Sequence, residues 1–102
     1  MFSHNYFNKF VERLEETRPT FFTAIENKDY VTARSLLDKQ FELIHTMREL
    51  GRKAYEELDI SSFGYVNNCA DLFENRLRLD VLDFIDELIG NFNKQGERND
   101  NA

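Results

Sequence analysis

A single proline, four glycines and no tryptophan occur in 102 residues, so the chain has few built-in breaks. Pro and Gly are the residues that interrupt helices at the largest cost, and their scarcity beside abundant Leu, Glu, Arg and Lys points to long helices rather than a sheet. One cysteine, Cys69, excludes an internal disulfide, and the ligand spacings of a structural zinc site are missing. A reducing, cytoplasmic setting fits that usage. No run approaches the roughly 20 apolar residues of a membrane span, and "MFSHNYFNKFVERLEE" lacks the apolar stretch and small-residue site of a secretion signal. Membrane insertion and classical secretion are therefore not expected.

Positive charge is also scarce. Lys and Arg number 13 against 19 Asp and Glu, for a net charge of −6. The excess is uneven: residues 63–92 carry two basic and six acidic side chains. A nucleic-acid binder needs the opposite sign clustered on one face, so direct DNA or RNA binding is not expected.

What the chain does have is large apolar groups: ten phenylalanines and four tyrosines. A chain of this length forms one domain and buries roughly two-thirds of its unfolded surface, which leaves little core to wall off a deep active site. Phe7, Phe10, Val11, Leu14, Phe21, Phe22 and Ile25 share one helical face over residues 4–27, with Ser3 as a candidate N-cap. Pro19 falls inside this segment, predicting a helix kinked or split there; the retained phase favours the kink.

Asp29 is placed to cap a second helix, on which Ala33, Leu37, Phe41, Ile44, Met47, Ala54, Tyr55 and Leu58 recur at helical steps. Gly51 lies at its centre and marks either a close helix approach or a tolerated glycine. "LDISSFG" reads as a turn, with Ser61 or Ser62 capping a third helix that ends near Gly90 or Phe92. Its inner stripe is Val66, Ala70, Phe73, Leu77, Val81, Phe84 and Leu88, and no internal repeat is visible. The predicted fold is all-α: an antiparallel bundle of three main helices over residues 1–92, followed by a disordered polar tail over residues 93–102.

Signals for chemistry are weak. "ELIH" at Glu42 to His45 has the Glu-x-x-His spacing of di-metal bundles, but a second copy is absent and both side chains project from the polar side. Asp80, Asp83 and Glu87 line one flank of the third helix, without the opposed environments that acid–base pairs need. There is no phosphate loop and no Gly-x-Ser-x-Gly elbow. No metal, cofactor or catalytic activity is expected.

The informative stretch is "LRLDVLDFIDELIGNF", residues 77–92. Beyond the inner stripe it carries Leu79, Leu82, Ile85 and Ile89, which with Leu72 form a second apolar ridge. Three short-linked helices cannot easily cover both sides of the third. The ridge is expected to meet a second copy of the chain, in a homodimer, or another protein that lays its own helix across it.

"AIENKDYVTARSLLDKQFELIHTM" and "ENRLRLDVLDFIDELIGNF" resemble the FliT type of flagellar export chaperone, within the broader set of small helical type III secretion chaperones. The resemblance covers about residues 10–93. It implies a cytoplasmic helical bundle that holds a helical segment of an export substrate, with Leu79, Leu82, Ile85 and Ile89 as docking residues. The alternative reading of the residues is an acidic regulatory inhibitor, of phage or plasmid type, whose Asp80, Asp83 and Glu87 mask a basic surface on a host protein.

Overall fold

The computed structural model describes the backbone of residues 2–100 and the side chains of residues 2–90. It is all-α, with helices α1 (His4–Glu26), α2 (Tyr30–Glu56) and α3 (Ile60–Asp100), and no strand among the described residues. Ring contacts fix the directions. His4 and Phe7 meet Tyr65 at one end, and Phe21 and Tyr30 meet Phe84 at the other. α1 and α3 therefore run parallel, with α2 antiparallel to both. At about 1.5 Å per residue, α3 is about 60 Å long and sets the long dimension of the molecule, 66 × 17 × 14 Å. α3 runs to Asp100, past the end expected near Gly90 or Phe92, and the side chains of the stretch expected as a polar tail over residues 93–102 lie outside the described residues.

α1 runs through Pro19 as one helix, in line with the retained phase of its apolar face, and of the two alternatives the split does not occur. Pro19 is exposed, and the Glu15 carbonyl deprived of its N–H partner sits on the same side, within reach of water. Ser3 caps α1 by accepting from the Tyr6 N–H, as its sequence position predicts.

The two connections are built alike. "AIENKDY" and "AYEELDI", 30 residues apart, share Ala-x-Glu-x-x-Asp, a local repeat that the sequence reading overlooks. In each, the residue before the Asp adopts a left-handed conformation, Lys28 with φ 59° and Leu58 with φ 64°. The Asp N–H then donates back to the Ala carbonyl, Asp29 to Ala24 and Asp59 to Ala54, both at 2.8 Å. This closes the preceding helix in the Schellman manner. The same Asp opens the next helix: its Oδ1 accepts from Thr32 N–H or Ser62 N–H, each at 3.2 Å. Asp59, not Ser61 or Ser62, is the cap of α3. The carboxylate of each cap sits below its ordinary pKa, first through the side-chain hydroxyl of Thr32 or Ser62 and then through this backbone N–H.

The core joins Phe7, Leu14 and Phe21 of α1, Ala33, Leu37 and Met47 of α2, and Val66, Ala70 and Leu77 of α3. Gly51 is buried against α3, and a Cβ there would stand 3.1 Å from Val66 Cγ1, so the close-approach reading is the one that holds. Four expected core residues are exposed: Phe41, Tyr55, Leu58 and Leu88. Phe41 lies off the edge of the α2 stripe, whose centre is occupied by buried Gln40. Tyr55 and Leu58 fall at the open end of the bundle, and Leu88, 39 % exposed, lies one turn beyond Phe84, towards the end of the bundle that carries the α1–α2 turn.

Candidate interaction surface

At about 100° per residue, the core stripe of α3 (Val66, Ala70, Leu77, Phe84) and the ridge (Leu72, Leu79, Leu82, Ile89) lie on opposite sides of the helix. α1 and α2 occupy the first side only. The ridge is correspondingly bare: Leu72 is 71 % exposed, Leu79 61 %, Leu82 57 %, Ile89 53 % and Ile85 42 %. Single exposed leucines are ordinary on protein surfaces, but a line of five large aliphatic groups on one helix is the pattern of an unfilled contact.

The three acids picked from sequence separate. Asp83 is exposed beside the ridge, together with Asp86. Glu87 is half-buried and accepts a hydrogen bond from the Tyr30 hydroxyl at 3.3 Å. Burial, then the Glu87 carboxylate, raises the Tyr30 phenol above its ordinary pKa. Asp80 is 1 % exposed, which departs from a solvated acidic flank. It lies about 100° round from Leu79, on the side that faces α1, and there Arg18 holds its carboxylate with two hydrogen bonds. Asp80 is therefore not available to a partner in this conformation.

At the N-terminal end of the ridge, Leu72 forms the rim of a groove of about 290 Å³ with Glu15, Cys69, Phe73 and Arg76. Arg76 spans it, pairing with Glu15 at 3.1 Å while its guanidinium lies 4.8 Å over the Phe73 ring. On the opposite flank Arg48 reaches from α2 to Asp71 at 2.8 Å and Glu74 at 2.5 Å, which raises the Arg48 pKa. These acids are thus neutralised within the chain. The free charges beside the ridge's centre are Asp83 and Asp86, with Arg78 making one long contact to Glu74 at 3.5 Å.

Near the end of the bundle where α1 starts and the α2–α3 turn lies, Tyr6, Tyr55, Ile60 and Tyr65 are also about half exposed. Glu42 and His45 are both exposed on α2, on the polar side predicted for them. Among the described residues no three His, Cys, Asp or Glu side chains converge as metal ligands, and no helix is long and apolar enough to cross a membrane. Compared with known proteins, the chain matches no protein-family model, no curated protein sequence and no solved structure.

Proposed function

We propose that the protein is a non-catalytic chaperone or adaptor that acts in the cytoplasm and holds a helical segment of a partner protein along α3. The observation that carries this reading is the line of exposed aliphatic side chains from Leu72 to Ile89, opposite the core. An amphipathic partner helix laid along it would bury apolar groups worth about 1.5 to 3 kcal/mol for each one fully covered, offset by the costs of association. Asp83 and Asp86 between them keep the free surface hydrated. The likeness to FliT-type export chaperones makes a flagellar or type III export substrate the first partner to try. The acidic-inhibitor reading loses support, because Asp80 is buried and Glu87 is engaged by Tyr30.

The test is a pull-down from the source cells with the wild-type protein and with the Leu79→Ser/Leu82→Ser double variant, followed by titration of the captured protein's isolated helical segment. The expected result is a variant that keeps its helical circular dichroism and loses the partner. Capture that survives the double substitution, or that disappears for both proteins at about 1 M salt, where the Debye length is about 3 Å, would move the contact from the ridge to the acids.

A further inference from the structure

The polar positions within the ridge carry information that its apolar positions do not. Along the outward face, successive steps of three and four residues give Leu72, Asn75, Leu79, Leu82, Asp86 and Ile89, all exposed. This is the spacing of a two-stranded coiled-coil seam, with alternating layers that pack against the alternate layers of an antiparallel neighbour. The order apolar, polar, apolar, apolar, polar, apolar reads the same in both directions.

We infer that the ridge pairs with the same ridge of a second copy in antiparallel orientation, an inference resting on the reading of this face as an interaction surface. A two-fold axis passing between Asp80 and Val81 sets Leu72 against Ile89 of the second copy, Asn75 against its Asp86, and Leu79 against its Leu82. Every apolar layer then meets an apolar layer. The one polar layer, generated twice by symmetry, places a carboxamide donor beside a carboxylate acceptor. Because the ridge faces away from α1 and α2, the two bundles lie on opposite sides of the seam.

Competing arrangements each bring a mismatch. Sliding the antiparallel pair by seven residues sets Asn75 against Leu79, or Leu82 against Asp86, leaving a polar group among aliphatic ones. A parallel pair in register sets Asp86 directly against Asp86, two like charges at the seam. The flanks do not choose: an antiparallel pair brings Arg76 towards Asp83, a parallel pair brings Arg78 towards Asp83, and exposed ion pairs of this kind are worth little. The polar layer is thus what sets both orientation and register. A partner helix would have to displace the second copy, so self-pairing shields the ridge until a partner arrives.

The experiment uses the full chain with Cys69→Ser as background and two single-cysteine variants, Leu72→Cys and Ile89→Cys, oxidised separately and as a mixture. Leu72 and Ile89 are 17 residues apart, about 25 Å along the helix. The antiparallel pair predicts a disulfide-linked dimer in the mixture and little in either variant alone. Self-linked dimers of each variant alone would show a parallel pair and overturn the inference. Sedimentation equilibrium of the unmodified protein stands beside this. It should show a dimer, and Asp86→Leu should redistribute register, so that crosslinking in the mixture falls several-fold. A monomer at every concentration that stays in solution overturns the pairing while leaving partner capture open. A dimer linked as predicted, whose Leu79→Ser/Leu82→Ser variant becomes monomeric yet still captures the partner, upholds the pairing and removes the ridge as the capture site.

Discussion

Arg18 and Asp80 join α1 to α3 across 62 residues of sequence, Nε to Oδ2 at 2.9 Å and Nη2 to Oδ1 at 3.0 Å. Asp80 is buried, whereas the Arg18 side chain is about one-third exposed and lies 5.1 Å over the Phe22 ring. The Arg18 pKa is raised, first by its hydrogen bond to Asp80. Removing the arginine strands a carboxylate in the interior, so Arg18→Ala should destabilise by about 3 kcal/mol, the low end for a buried pair because Arg18 still touches water. Removing both partners should cost clearly less than the sum of the single changes. Urea unfolding of the two single variants and the double variant measures this, and additive costs would mean the pair is not coupled.

Gly51 and Gly64 should answer differently to the same substitution. Nothing lies within 4 Å of a Cβ built at Gly64, so Gly64→Ala should raise stability by up to about 1 kcal/mol through helix propensity alone. At Gly51 the added methyl meets Val66 Cγ1 at 3.1 Å, and the gain should be cancelled or reversed. Thermal unfolding of both variants side by side gives the comparison, and an equal gain at both positions would contradict the close approach of α2 to α3.

Leu58 and Lys28 hold left-handed backbone conformations that cost a side-chain-bearing residue about 1 to 2 kcal/mol. Leu58 is 84 % exposed and loses little packing when removed. Leu58→Gly should therefore stabilise by about 0.5 to 1 kcal/mol after the added freedom of the unfolded glycine, raising Tm by a few degrees. An unchanged or lower Tm in a calorimetric scan would count against the turn geometry.

The caps predict an acid dependence. Asp29 and Asp59 have pKa values lowered by their hydrogen bonds to the first turns of α2 and α3. A lowered folded-state value means stability that is fully present above the ordinary carboxylate range and is lost as pH falls through the folded values. Asparagine caps well but does not titrate. The Asp29→Asn/Asp59→Asn variant should therefore lose less Tm than wild type between about pH 6 and about pH 3. Parallel loss in the two proteins would place the acid sensitivity elsewhere.

Periodicity made much of the bundle legible. Val66, Ala70 and Leu77 fall on one stripe because a helix repeats every 3.6 residues, and the same arithmetic puts Leu79 and Leu82 outside. Asp80 escapes such a reading: its residue type says surface, and its counter-charge, Arg18, lies 62 residues away, where no local pattern can report it. Gln40 escapes for the same reason, a polar type at the centre of the α2 stripe. Leu88 falls on the predicted stripe, and its partial exposure depends on how α1 and α2 pack around that end of α3, a relation between elements rather than within one. The cap at Asp59 was open to sequence reasoning, since Asp29 shows the same Ala-x-Glu-x-x-Asp pattern, but the serines that follow it draw attention away.

Short connectors also govern the order of events in folding. α1 meets α2, and α2 meets α3, through turns of three residues, so each helical hairpin forms from neighbours in sequence and needs little loop closure. The contacts of α1 with α3, Arg18 to Asp80 and Phe21 to Phe84, close the longest loops and come after the hairpins. A substitution at Arg18 should then hasten unfolding while leaving the refolding rate nearly unchanged, and a chevron plot with both limbs displaced would show the clasp already formed at the barrier.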